Sequence, residues 1–157
     1  MIDEPRYPYR GFMLDTSRHF FSLDSILKLI DAMAVAKFNV FHWHIVDDDS
    51  FPLELKQSFP NLTFNGAFSE NEVYTQAMVK QIVEHAKKLA IRVVPEFDNP
   101  SHTHAVGLDP YFRDVVRCFY DYDHYTMPNY PVQDYKIKGK PQSGALDPSY
   151  SKTYELT

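Results

Sequence analysis

The feature that most constrains the fold is the order of strand-like and helix-like segments within the first 98 residues. Apolar residues at spacings of three and four predict two helices, the first capped by Ser22 and ending near Lys37, the second capped by Thr75. Short apolar runs before, between and after them predict strands at residues 11–15, 39–46 and 91–98. The resulting order of strand, helix, strand, helix, strand is typical of a parallel α/β protein.

Residues 39–46 alternate with a two-residue period, so successive side chains should point to opposite faces of a strand. One face is fully apolar and suits packing against helices, whereas the other carries two imidazoles. Directly after the strand come three consecutive aspartates, Asp47 to Asp49. The two faces are Phe41, Trp43 and Ile45 on one side and Val40, His42, His44 and Val46 on the other.

Each predicted strand ends in a carboxylate, namely Asp15, Asp47 and Asp98. Crossover connections make such strands parallel and bring their C-terminal ends to one side, where ligands bind in α/β proteins. No dinucleotide fingerprint or P-loop follows the first strand. Polar residues at interior-facing positions, among them His42 and Glu96, favour a barrel over a doubly wound sheet. We therefore expect part of a (β/α)8 TIM barrel.

Composition excludes several classes of function. The formal charge of -5 and the lack of a basic cluster beyond Lys87-Lys88 argue against a nucleic-acid partner. No apolar run approaches the roughly 20 residues of a membrane span, so no membrane partner is expected. The single Cys118 leaves the redox compartment open. Asn61 fits the N-glycosylation pattern, which has meaning only in a secreted chain.

Two long connections lack a clear period. Residues 50–74 are rich in Pro, Gly, Asn and Ser and are interpreted as a loop. Residues 100–144 alternate tyrosines with aspartates and prolines, which suggests an ordered loop over the barrel mouth, with disorder as the competing interpretation. Residues 147–149 resemble a helix start, followed by the first turns of that helix up to residue 156.

The residues alone also permit a metal site. His42 and His44 share one strand face, and acidic or imidazole groups lie at neighbouring strand ends, so the set could assemble a metal-dependent barrel hydrolase. The further candidate ligands are Asp47, Asp98, His102 and His104.

Three motifs together resemble one family. Residues 10–20 (RGFMLDTSRHF), 39–52 (NVFHWHIVDDDSFP) and 95–103 (PEFDNPSHT) are similar to the family 20 glycoside hydrolases, the β-N-acetylhexosaminidases, and most to the eukaryotic lysosomal type. The resemblance implies a (β/α)8 barrel without cofactor or metal. It also implies a retaining reaction that removes terminal β-linked N-acetylglucosamine or N-acetylgalactosamine. The substrate's acetamide oxygen is the nucleophile there, an exception to the two-carboxylate scheme.

The resemblance also assigns roles to individual residues. Arg18 matches an arginine that hydrogen-bonds sugar hydroxyls, a task that suits the forked guanidinium. Asp98 and His102 match a relay in which the carboxylate orients the imidazole and the imidazole contacts the general acid. Asp47 and His44 match supporting positions near the same acid, and Asp48 ranks next, with a solvated loop charge as its alternative.

The general acid of this family lies in a His-x-Gly-Gly-Asp-Glu motif that the sequence does not contain. We therefore expect residues 1–157 to be an N-terminal fragment covering roughly three of eight β/α units, since a whole barrel needs about 250 residues. The fragment alone is expected to be inactive, and a truncated sugar-binding product is an open alternative. The resemblance implies amino-sugar glycoconjugates or chitooligosaccharides as substrates, a lysosomal or secreted location and possible dimerisation of the parent enzyme.

Overall fold

A computed structural model describes residues 4–55, 58–117 and 144–156. Three parallel strands form its main sheet in the order β1, β2, β3, with bounds Gly11–Asp15, Val40–Val46 and Arg92–Phe97. Two crossover helices connect them, α1 at Leu23–Val35 and, after an intervening α2 at Pro60–Gly66, α3 at Gln76–Lys88. The strands and helices expected from sequence are therefore confirmed, and the fold is part of a (β/α)8 barrel.

Both crossover helices begin where their caps predict. The hydroxyl of Ser22 accepts a hydrogen bond from the Ser25 amide, and that of Thr75 accepts one from the Met78 amide, both at 3.2 Å. Each bond satisfies a backbone N–H group that has no partner within its own helix. The first helix ends before Lys37, whose positive φ of 61° cannot continue a right-handed helix.

The apolar face of β2 forms the centre of the core. Phe41, Trp43 and Ile45 are at most 1% exposed and pack with buried residues of α1 and α3. The indole N–H of Trp43 donates to the Thr16 hydroxyl at 2.8 Å, so this buried polar group is satisfied. Since α1 also contacts α3, both helices cover one face of the sheet. The opposite face is left to the imidazoles of β2, as the alternation predicts.

Pro95 lies inside β3, opposite Trp43, and next to a register shift between His44 and Val46. Proline lacks the N–H group of a sheet ladder and is tolerated at edges and irregularities. The structure meets both conditions, because β3 is an edge strand of the described sheet.

The interpretation of residues 50–74 as a loop is wrong in part. This segment contains α2, which buries Leu62, Thr63 and Gly66. Proline is common in loops, but Pro60 occupies the first turn of α2, where the missing N–H group costs nothing.

The chain after β3 is mostly short elements. A helical turn α4 at His104–Gly107 and a 3-10 turn at Arg113–Val115 lead to a two-stranded ladder of β4, Val116–Arg117, and β5, Ala145–Leu146. A 3-10 helix at Ser151–Glu155 follows the predicted helix start. Of the predicted loop at residues 100–144, residues 118–143, which include Cys118, lie outside the described residues. Its described part up to residue 117 contains α4, the 3-10 turn and β4. No helix in the described part of the chain is long and apolar enough to cross a bilayer.

Candidate active site

Arg18 lies in the loop after β1, surrounded by carboxylates from two strand ends. Its Nη1 lies 2.6 Å from Asp15 Oδ2 and its Nη2 lies 2.7 Å from Asp47 Oδ2, with Asp49 Oδ2 at 3.6 Å from Nε. Burial lowers the pKa of Arg18, but the hydrogen bond to Asp15 and the charges of Asp47 and Asp49 outweigh it and raise the pKa. The guanidinium is therefore a fixed cation that is still 45% exposed.

The two loop backbones beside Arg18 are joined by hydroxyl bonds. Ser17 Oγ donates to the Ser50 carbonyl at 2.8 Å, and Ser50 Oγ donates to the Ser17 carbonyl at 2.6 Å. Both residues are fully buried. The Asp15 carboxylate also accepts from the amides of Ser17 and Arg18, each at 3.0 Å. These bonds hold the loop that carries Arg18 against the end of β2.

His44 projects from the polar face of β2 between two carboxylates. Its Nε2 lies 2.8 Å from Asp47 Oδ2, and its Nδ1 lies 3.2 Å from Glu96 Oε1 across the strand pair. Burial lowers the pKa of His44, but the hydrogen bonds to Asp47 and Glu96 overcome this effect and raise it. Asp47, whose side chain is 0% exposed, thus bonds to both His44 and Arg18 through the same oxygen.

Asp98 and His102 form a second pair at the end of β3. Asp98 Oδ2 lies 2.8 Å from His102 Nδ1, which fixes the tautomer in which Nδ1 carries a proton. His102 has a left-handed backbone with φ 58°, which costs an L-residue roughly 1 kcal/mol or more. The next residue, Thr103, donates its amide to the Gly144 carbonyl at 3.0 Å and so helps to hold this turn.

The two pairs adjoin one another. Ligand atoms of His44, Asp47 and Asp98 all lie within 4.8 Å of each other. Asp47, Asp98 and His102 also border a cavity of about 190 Å³ whose remaining walls are mainly apolar. The ends of all three strands therefore deliver charged groups to one rim, with a small cavity beside it.

Asp48 is a buried anchor and not a solvated loop charge. It is 5% exposed, and its Oδ1 accepts from the amides of His104 at 2.8 Å and Gly144 at 3.2 Å. A Cβ at position 144 would lie 2.8 Å from the His104 nitrogen, so this close approach requires glycine. Asp48 thereby ties the end of β2 to the segment that carries His102.

The comparisons with known proteins identify the family. The profile of the glycosyl hydrolase family 20 catalytic domain matches residues 7–157. The chain belongs to glycosyl hydrolase family 20.

Relatives and solved structures agree with this assignment. The chain is 52% identical over 107 residues to the β-hexosaminidase subunit beta of Felis catus. This match covers 68% of this chain and 20% of that protein. It is 54% identical over 100 residues to the chitooligosaccharidolytic β-N-acetylglucosaminidase of Bombyx mori, covering 64% of this chain and 17% of that protein. The chain thus spans about a fifth of the length of these curated relatives.

Two solved structures share the fold over nearly the whole chain. A chitobiase of Flavobacterium johnsoniae superposes with a TM-score of 0.76 at 35% identity, covering 97% of this chain and 21% of that one. An exo-β-N-acetylglucosaminidase of Vibrio harveyi, solved with N-acetylglucosamine, superposes with a TM-score of 0.75 at 28% identity, covering 99% and 25%. Both are named as family 20 glycoside hydrolases.

The structure brings together all five site residues expected from sequence, Arg18, His44, Asp47, Asp98 and His102. Three acidic groups that contact them were not proposed as site residues, Asp15, Asp49 and Glu96. The two-residue period of the strands could have identified Glu96, because Glu96 shares the face of His44 and is its register partner on β3. Asp15 ends β1 and could have been paired with Arg18, three residues on, from their opposite charges.

The metal pair suggested by His42 and His44 is not what the structure assembles. His42 Nε2 contacts Glu96 Oε2, whereas His44 Nε2 contacts Asp47. Among the described residues, the group of three or more with metal-like spacing is His44, Asp47 and Asp98, without His42. A cation there would lie beside the Arg18 guanidinium, which already contacts Asp47 at 2.7 Å. This charge opposes the metal-hydrolase hypothesis.

Proposed function

We propose that the protein is a retaining exo-β-N-acetylhexosaminidase that removes terminal β-linked N-acetylglucosamine or N-acetylgalactosamine by substrate-assisted catalysis. Support comes from family membership and from the names of the relatives that act on N-acetylglucosamine compounds. The sequence lacks the His-x-Gly-Gly-Asp-Glu motif, so the proposal gives residues 1–157 binding and positioning roles within one family 20 catalytic domain. The acid and the acetamide-positioning aspartate are assigned to polypeptide outside these residues.

Arg18 is the residue to which we assign sugar binding. The observation that carries the proposal is that carboxylates from the ends of β1 and β2 hold this guanidinium at the barrel rim. A guanidinium has five N–H groups in a rigid fork. Three of them suffice for the contacts with Asp15, Asp47 and Asp49, and the proposal gives the others to neighbouring sugar hydroxyls.

Asp98 and His102 are assigned to support of the general acid. Because Asp98 accepts from Nδ1, the ring would contact the acid through Nε2. An imidazole in this place can stabilise one protonation state of a neighbouring carboxyl group and so set its pKa near the working pH. Asp47 and His44 would then hold Arg18 at the correct distance from the sugar ring.

The test is Arg18→Lys in the protein expressed from its full gene, assayed with 4-nitrophenyl N-acetyl-β-D-glucosaminide. Lysine keeps the charge but loses the forked N–H groups of the guanidinium. Because hydrogen bonds to a charged group contribute strongly to the free energy of binding, kcat/KM should fall roughly 100-fold. Arg92→Lys is the matched control, because Arg92 begins β3 at the opposite end of the sheet and should leave kcat/KM unchanged. Wild-type activity in Arg18→Lys would refute the assignment, and an inactive wild-type protein would refute the proposed function.

We also propose that the protein acts in the lysosome or outside the cell and assembles as a dimer. The name of the mammalian relative, a hexosaminidase subunit, supports assembly. The resemblance to the lysosomal type of the family supports the location. Cell fractionation with an antibody against the protein, followed by sedimentation of the native protein, checks both statements. A cytosolic or monomeric protein would contradict them.

A further inference from the structure

Glu96 connects the two imidazoles of β2. Its Oε1 lies 3.2 Å from His44 Nδ1, and its Oε2 contacts His42 Nε2. Each carboxylate oxygen thus serves a different histidine. The side chain is 37% exposed, so solvent still reaches the carboxylate of Glu96.

The contacts of His44 favour two protons on its ring. One nitrogen faces Asp47 at 2.8 Å and the other faces Glu96 at 3.2 Å. Ionised carboxylates only accept hydrogen bonds, and a neutral imidazole carries a single N–H group. A neutral His44 would therefore turn a lone pair toward one of the two carboxylates. The imidazolium form satisfies both.

Charged groups from every neighbouring strand end face His44. Asp15 from β1, Asp47 after β2, and Glu96 and Asp98 from β3 are acidic, while Arg18 is the cation that contacts Asp47. A second positive charge at His44 reduces the repulsion among these carboxylates. Without it, Arg18 would be the one cation among these groups that contacts Asp47.

We propose that Glu96 is a positioning residue for the amino-sugar site: it holds His44 as an imidazolium against Asp47 and thereby fixes the orientation of Arg18. This inference rests on the proposed function, since Arg18 is assigned there to the sugar hydroxyls. Glu96 does not touch the sugar in this proposal. It acts through a continuous row of contacts that runs from Glu96 through His44 and Asp47 to Arg18.

The experiment compares Glu96→Gln and Glu96→Ala in the protein expressed from its full gene. Glutamine keeps the volume and one acceptor but loses the charge, so Glu96→Gln carries the test if Glu96→Ala fails to fold. Asp31→Asn is the matched control, because Asp31 also accepts from a histidine, His85, at 2.7 Å on the exposed surface between α1 and α3. Two properties are measured: KM and kcat for the chromogenic substrate, and the ring ¹⁵N signals of His44 in selectively labelled protein.

We expect Glu96→Gln to raise KM about tenfold at pH 8 with kcat nearly unchanged, because a misplaced Arg18 weakens binding in ground and transition states alike. The ring signals of His44 should change from the imidazolium to the neutral pattern. Below pH 6 the remaining partner Asp47 should restore the proton, and KM relative to wild type should recover. Asp31→Asn should change neither property.

A wild-type KM for Glu96→Gln at pH 8, or unchanged His44 signals, would overturn the proposal. So would an equal loss at both pH values, since a purely structural role predicts no rescue by protonation. Failure of the proposed function is seen separately, as absence of amino-sugar hydrolysis by the wild-type protein.

Discussion

Two histidine–carboxylate pairs of nearly equal length occupy contrasting surroundings in this molecule. At the rim of the sheet, His44 lies 2.8 Å from Asp47, and their side chains are 8% and 0% exposed. Between α1 and α3, His85 lies 2.7 Å from Asp31, with exposures of 32% and 59%. Distance alone does not distinguish them, but burial and further partners do.

The surroundings determine what each pair contributes. An exposed pair gains little, because water and salt screen its attraction and two side chains must be ordered. A buried charge loses its hydration and needs several partners to recover that free energy. Asp47 has such partners in His44 and Arg18, and both bonds are below 3 Å. The comparison therefore predicts that perturbations of the rim pair have much larger effects than the same changes at the surface pair.

The largest effect is expected for removal of the shared carboxylate. Asp47→Ala should lower the free energy of unfolding by about 3 kcal/mol, because it leaves His44 and Arg18 without their common partner. Asp31→Ala should cost no more than about 1 kcal/mol. Urea denaturation of both variants measures the difference, and equal losses would show that burial does not separate the two pairs.

The strands of the rim could be predicted from sequence because their signal is local. The two-residue period of residues 39–46 identified β2 and both of its faces, and the hydroxyls of Ser22 and Thr75 marked the helix starts. Alternation and capping depend on neighbouring residues only. The crossover rule for parallel strands then placed the strand ends next to Arg18 and Asp47 on one side of the sheet.

What sequence reasoning missed depends on contacts between distant parts of the chain. Glu96 contacts His44 across two paired strands, and Asp48 accepts from the amide of Gly144, 96 residues away. The first contact follows from the register of β2 with β3, and the second from the close approach of two loops. The helix α2 was missed for a different reason, since proline both interrupts helices and favours their first turn.

Measuring stability as a function of pH tests the difference between His44 and His85. The folded-state pKa of His44 is raised, since the bonds to Asp47 and Glu96 outweigh burial. Its protonated form is therefore favoured by folding, and the stabilisation is fully present below the ordinary value of 6.5. It is lost as pH rises through the raised value.

We expect His44→Gln to lower the melting temperature more at pH 6 than at pH 9. His85→Gln serves as the matched variant at the exposed pair, where the loss should be smaller at each pH. Thermal denaturation followed by circular dichroism provides the measurement. A larger loss for His44→Gln at pH 9 than at pH 6 would show that folding favours the neutral ring, which would contradict the raised pKa of His44.

The smallest effect is expected from salt at the surface pair. Asp31→Asn should change the free energy of unfolding by about 0.5 kcal/mol or less at low ionic strength, and raising NaCl to about 0.5 M should remove most of that difference. The loss caused by Asp47→Ala should persist in the same salt, because a side chain with 0% exposure is poorly reached by counterions. Urea denaturation at the two salt concentrations measures both variants. If salt abolished the effect of Asp47→Ala as well, the rim would be open to solvent, and the row of contacts from Glu96 to Arg18 could not hold the guanidinium in place.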